Sequence, residues 1–127
     1  MIIGIGTDII HSSRISKAIY KFGDTFGKKI LDDTEYLQYQ SLIGFKKAQY
    51  LTNCFAAKEA TAKSLGTGFR NGVRFKDIVL HQDAMGCPYI TLLRQAERIF
   101  SQLGALKIDL TISHEKDLTI AFVILSN

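Results

Sequence analysis

Residues 52–68, Thr-Asn-Cys-Phe-Ala-Ala-Lys-Glu-Ala-Thr-Ala-Lys-Ser-Leu-Gly-Thr-Gly, constrain this chain more than any other stretch. The run is rich in alanine, holds no proline and ends on Gly66-Thr67-Gly68. It therefore reads as the larger part of a helix from about Lys47 to Leu65, closed by a glycine stop. Alanine side chains let neighbouring backbone, or a ligand, come close. At 3.6 residues per turn Thr52, Ala56, Glu59 and Lys63 fall on one side. Glu59 and Lys63 are one turn apart, so a carboxylate and an ammonium can point into the same space. Spacing alone reads more readily as a core helix with a surface ion pair.

A second stretch, Gly4-Ile5-Gly6-Thr7-Asp8, gives that pair a context. Ile2 to Ile10 is rich in β-branched residues and reads as a strand. Ile3, Ile5, Thr7 and Ile9 share one face; Gly4, Gly6, Asp8 and Ile10 share the other. Asp8 thus lies on the face that two glycines clear of side chains. Glycine in a strand marks close approach by a ligand or by other backbone. The Gly-x-Gly is not a dinucleotide fingerprint, because Ile9 stands where the third glycine belongs.

The remaining elements follow from periodicity and punctuation. Ser12 or Ser13 can cap a helix from about Arg14 to Phe22, with Ile15, Ile19 and Phe22 buried and Gly23 as the stop. Arg14, Lys17 and Lys21 form a basic stripe on the same helix, and Lys28 and Lys29 add charge beyond it. Asp32-x-x-Glu35 reads as a capping box for a helix from Asp33 to about Leu42, anchored by Tyr36, Leu37 and Tyr39. Gly66 to Gly72 is a glycine-rich turn that lacks the Gly-Lys-Ser/Thr of a P-loop. Phe75 to Gln82 reads as a strand, Asp83 to Pro88 as a turn, and Tyr89 to Leu92 as a short strand. A helix from about Leu93 to Leu103 follows, stopped by Gly104. Lys107 to His114 alternates, with Ile108, Leu110 and Ile112 on one face and His114 continuing it. With Leu118 to Leu125 it makes a C-terminal hairpin.

With 127 residues, 46% of them hydrophobic and 22% charged, the chain suits one globular domain spanning residues 1–127. A formal charge of +4 fits an acidic or phosphorylated partner without singling out nucleic acid, for which no recognition motif is present. Cys54 and Cys87 form no metal pattern and read as free thiols of a reducing cytoplasm. No signal peptide and no run long enough to span a membrane is evident, so no membrane partner is expected.

Three stretches stand together: Gly-Ile-Gly-Thr-Asp-Ile at 4–9, Phe-Ala-Ala-Lys-Glu-Ala-x-x-Lys-x-x-Gly-Thr-Gly at 55–68, and Thr-Ile-Ser-His at 111–114. In this order and chain length they closely resemble the holo-[acyl-carrier-protein] synthases, the short bacterial type of 4'-phosphopantetheinyl transferase. Arg14 and the Gly-Cys-Pro turn at 86–88 fit as well. The resemblance implies an α+β fold in which a small, mainly antiparallel sheet packs against a long central helix and shorter helices. It implies transfer of the phosphopantetheine arm of coenzyme A to a serine of an apo acyl carrier protein, with release of adenosine 3',5'-bisphosphate, in fatty acid biosynthesis. Magnesium would be the cofactor, and Asp8 and Glu59 its carboxylates. Glu59 and Lys63 would be catalytic. Lys63, Gly66 and His114 would contact coenzyme A. Arg14, Lys17, Lys21 and Phe26 would meet the acidic, helical carrier protein, with Phe22 as a further apolar neighbour. The family also implies a homotrimer with active sites between subunits.

Those residue types suit that chemistry. A hard divalent cation held by one or two carboxylates and the phosphate oxygens offsets the charge that repels a nucleophile. Lys63 can stabilise or protonate a departing phosphate. The base for the serine hydroxyl stays open between Glu59 and an ordered water. Two departures remove positive charge. Cys54 stands where relatives often carry arginine, and Cys87 where they often carry lysine. Lys46, Lys47 or Arg70 are the residues available to compensate.

Overall fold

Consecutive β-branched residues hold Ile2–His11 extended as strand β1. In a computed structural model, which describes residues 1–127, β1 pairs antiparallel with the last strand of the chain. The elements run β1, α1 (Ser12–Phe22), α2 (Asp24–Ile30), α3 (Asp33–Gln40), α4 (Gly44–Ser64), β2 (Ile78–Gln82), β3 (Pro88–Leu92), α5 (Arg94–Gln102), β4 (Lys107–Glu115) and β5 (Leu118–Ser126). One antiparallel sheet has the order β1-β5-β4, and β2 and β3 form a separate antiparallel pair. This is the expected α+β arrangement, with α4 as the long helix. No helix is long and apolar enough to cross a membrane.

The glycines of β1 explain how α4 sits. A Cβ on Gly4 would collide with the Ser64 carbonyl oxygen, and one on Gly6 with the Ala60 carbonyl oxygen. The space cleared on this face is thus filled by the backbone of α4, not by a ligand. Ala56, Ala57, Ala60 and Ala62 complete the close approach and are all buried. Ile10, Ala121, Val123 and Leu125 close the core beneath them. Gly6→Ala is expected to cost about 3 kcal/mol, because a backbone carbonyl cannot swing aside as a side chain can. Urea unfolding measures it; a change below about 0.5 kcal/mol would mean that α4 is not seated on this glycine.

The opposite face of the sheet is apolar and bare. Ile5 and Ile9 are each 61% exposed, Ile120 41% and Phe122 38%. Register sets Ile9 beside Ile120, Thr7 beside Phe122 and Ile5 beside Ile124, so these side chains form one patch.

Several boundaries differ from the expectations. α1 starts at Ser12 with His11 as its N-cap, and no serine side chain caps it. Its first amide instead donates to the Asp117 carbonyl at 2.7 Å, so the β4–β5 turn replaces the local cap. Gly23, at φ 60°, stops α1 as expected but leads at once into α2, which periodicity missed. Phe22, expected in the core, lies exposed at that turn. The capping box of α3 is present, with Asp32 accepting from the Glu35 amide at 2.8 Å and the Glu35 carboxylate accepting from the Asp32 amide at 2.9 Å. That helix ends at Gln40, two residues short of the expected Leu42, and its Leu37 is exposed. α4 begins at Gly44, three residues before the expected start. Residues 75–77 form a 3₁₀ turn, not strand, because buried Asp77 accepts from the Arg74 amide and from Arg94 Nε.

Candidate active site

Asp8 follows Gly6 by two residues and so lies on the β1 face that meets α4. Its side chain is 15% exposed, and its Oδ1 is 3.4 Å from Lys63 Nζ. The same ammonium donates to the Thr7 carbonyl at 2.9 Å, which ties the last turn of α4 to β1. The other oxygen, Asp8 Oδ2, is buried and has no hydrogen-bond partner. Buried carboxylate oxygens are normally paired, so this orphan marks a place for a ligand.

Glu59 stands one turn before Lys63 and is half-buried. Burial, foremost, and then the charge of Asp8 raise its proton affinity above that of an ordinary carboxyl, while Lys63 and Arg14 partly oppose this. Four charged groups therefore share one space: two carboxylates that repel each other and two cations that partly compensate. No cluster of three or more His, Cys, Asp or Glu forms anywhere in the chain. A carboxylate pair with one unpaired oxygen suits a hard divalent ion that keeps waters and takes further oxygens from a substrate.

Arg14, expected on a partner-binding stripe, also packs over the Phe55 ring at 5.8 Å beside this site. Lys17 and Lys21 are exposed on α1, and Lys21 lies over Phe22 at 5.2 Å. Phe26 is half-buried against the core, which leaves Phe22 as the more exposed of the two phenylalanines. Gly66 follows α4 in the left-handed region at φ 81°, and its amide donates to the Lys63 carbonyl at 3.0 Å.

His114 is not part of this cluster. It lines a separate cleft of about 620 Å³ together with Gln38, Tyr50, Asn53, His81 and Tyr89, among others. None of Asp8, Glu59 and Lys63 lines that cleft, and neither does any lysine or arginine. His81 and Tyr89 stack there with ring centroids 4.9 Å apart, and His81 Nε2 is 2.8 Å from Thr91 Oγ1. Cys54 is wholly buried behind the cleft, and burial above all pushes its thiol well above the ordinary range. Cys87 is exposed in the turn between β2 and β3. Lys47, a candidate for the missing charge, instead lies 4.6 Å from the Tyr39 ring.

Sequence reasoning missed Lys58. The side chain is fully buried, and its ammonium donates to Glu35 Oε1 at 2.7 Å, the Phe75 carbonyl at 3.0 Å and the Ile78 carbonyl at 2.6 Å. The signal was present: Leu51, Cys54, Lys58, Ala62 and Leu65 recur at helical spacing, and all are buried. A lysine on an apolar stripe requires a buried partner.

Residues 4–123 match the family model described as the 4'-phosphopantetheinyl transferase superfamily. The chain is 42% identical over 125 residues to a holo-[acyl-carrier-protein] synthase of Vibrio cholerae serotype O1, covering 98% of each chain. Among solved structures it resembles the holo-[acyl-carrier-protein] synthase of Neisseria meningitidis, at 38% identity and a TM-score of 0.90 over 100% of both chains. It also resembles the Bacillus anthracis synthase in complex with CoA (3',5'-ADP), at 34% identity and a TM-score of 0.83, covering 100% of this chain and 99% of that one.

Proposed function

Because the chain belongs to the 4'-phosphopantetheinyl transferase superfamily, with the holo-[acyl-carrier-protein] synthases as its relatives, we propose that it transfers the phosphopantetheine arm of coenzyme A to a serine of an apo acyl carrier protein. The observation that carries the site assignment is the cluster of Asp8, Glu59 and Lys63, with its orphaned carboxylate oxygen. Residues 1–127 act as one cytoplasmic domain serving fatty acid biosynthesis.

In this reading the serine oxygen gives its proton to Glu59 or to an ordered water and forms a bond to the phosphorus that bears the pantetheine arm. The bond from that phosphorus to the bridging oxygen breaks, and adenosine 3',5'-bisphosphate leaves. Asp8 and Glu59 would hold magnesium, which when bound would supply positive charge against the diphosphate. Lys63 stands beside Asp8 and supplies a further positive charge to the leaving phosphate. Gly66, with no side chain at the end of α4, leaves room for the cofactor substrate to pass. His114 donates to a phosphate oxygen of coenzyme A.

His114 and the carboxylates occupy different places on one chain, so a complete site needs a neighbour's contribution. The bare apolar face of Ile5, Ile9, Ile120 and Phe122 is the surface that brings neighbours together. Three copies close the ring through a heterologous contact. Arg14, Lys17 and Lys21, with Lys28 and Lys29 on α2, present cations to an acidic carrier protein, and Phe22 and Phe26 supply apolar contact. Encounter with the carrier should therefore slow as salt is added.

Titration calorimetry with coenzyme A tests the reading. Binding is expected to strengthen when magnesium is added. Equal binding with and without magnesium would instead favour a module that docks an acidic protein but has lost the reaction.

A further inference from the structure

The buried Lys58–Glu35 pair takes no part in the chemistry above, yet its polar satisfaction is complete. A lysine ammonium has three donors, and all three are used, on Glu35, Phe75 and Ile78. The Glu35 carboxylate is used on both oxygens. Oε1 accepts from Lys58 and from the Asp32 amide, and Oε2 accepts from the Leu80 amide at 2.9 Å. One point thus joins α3, α4, the 3₁₀ turn and β2. Lys58 is also the residue just before Glu59. Successive helical side chains diverge by about 100°, so an inward Lys58 leaves Glu59 directed toward β1 and Asp8.

The packing of α4 on β1 makes such a join necessary. Alanines meet glycines there, so the helix approaches closely, but the contact has few large side chains to interlock. Smooth packing fixes distance better than it fixes rotation about the helix axis. Three hydrogen bonds with definite directions fix rotation.

We infer that Lys58 and Glu35 are positioning residues: their buried pair sets the rotation of α4 and so aims Glu59 at Asp8. The inference rests on the transferase reading for what Glu59 does once aimed. It concerns residues that leave the helix on a different face from Glu59, outside the proposed reaction.

The test uses Lys58→Met and Glu35→Gln, purified and shown native by circular dichroism at a temperature well below their unfolding. Manganese binding in the presence of coenzyme A is followed by electron paramagnetic resonance, and turnover is measured on apo carrier protein. Both variants are expected to bind manganese about tenfold more weakly or worse, and to lose about 10- to 100-fold in kcat. Glu35→Gln keeps an acceptor for Lys58 and gives the smaller loss; it carries the test if Lys58→Met does not fold. Native variants with wild-type manganese affinity and wild-type kcat, merely melting earlier, would overturn the inference and reduce the pair to a structural one. A wild-type protein showing neither manganese binding nor turnover would instead remove the transferase reading, and the inference with it.

Discussion

Glu59→Gln is expected to lose turnover by about 10³-fold while becoming more stable than the parent near neutral pH. The loss follows from the magnesium charge that Glu59 would help to hold, worth about 4 kcal/mol in the transition state. The gain follows from the same geometry. Burial and the Asp8 charge make the folded chain bind a proton at Glu59 more tightly than the unfolded chain does. Stability therefore falls as pH rises from the ordinary carboxylate value to the raised folded one, and it stays lower above that. An amide carries no such cost. Below both values the parent is protonated and this difference disappears. Urea unfolding of both proteins near neutral pH and again at acidic pH, beside a turnover assay, reads both effects. A variant that is less stable at neutral pH, or that turns over normally, would contradict the site.

Phe122→Asp should leave a folded monomer with turnover lowered by at least about 100-fold, because each site would lose the groups that a neighbour supplies. Phe122 lies on the outer face of the sheet, 38% exposed, between Thr7 and Thr111 in register. A charge there meets water in the single chain, so the fold should be retained. Between copies it would be buried without a partner, which an interface does not tolerate. Analytical ultracentrifugation with circular dichroism and turnover decides. A parent that is already monomeric and active would remove the shared site, and a variant that stays assembled would place the interface elsewhere.

Much of this was readable in the residues. β1, α4 and the C-terminal hairpin declare themselves through period and punctuation, and the capping box of α3 is written out as Asp32-x-x-Glu35. The two faces of β1 were also legible, but which face turns inward was not. Ile5 and Ile9 would normally point into a core; here the face of Gly4 and Gly6 does, because α4 takes the space their side chains would fill. α2 was hidden because Gly23 reads the same as a stop and as a hinge. The order in Asp8, Glu59 and Lys63 came partly from spacing, since Glu59 and Lys63 are a turn apart. Joining them to Asp8 needed the chain to fold back across fifty or more intervening residues, and resemblance supplied that. Lys58 shows the limit most clearly. Its stripe was visible, but its partner Glu35 was already spoken for as a helix cap, and nothing local says that one carboxylate can do both.

The most direct measurement is the mass of an apo acyl carrier protein after incubation with this protein, coenzyme A and magnesium. An increase by one phosphopantetheine, absent when magnesium is chelated and absent with Asp8→Asn, is the expected result. An unchanged carrier mass with the folded parent protein, or the full increase with both Asp8→Asn and Glu59→Gln, would contradict a reaction centred on those two carboxylates.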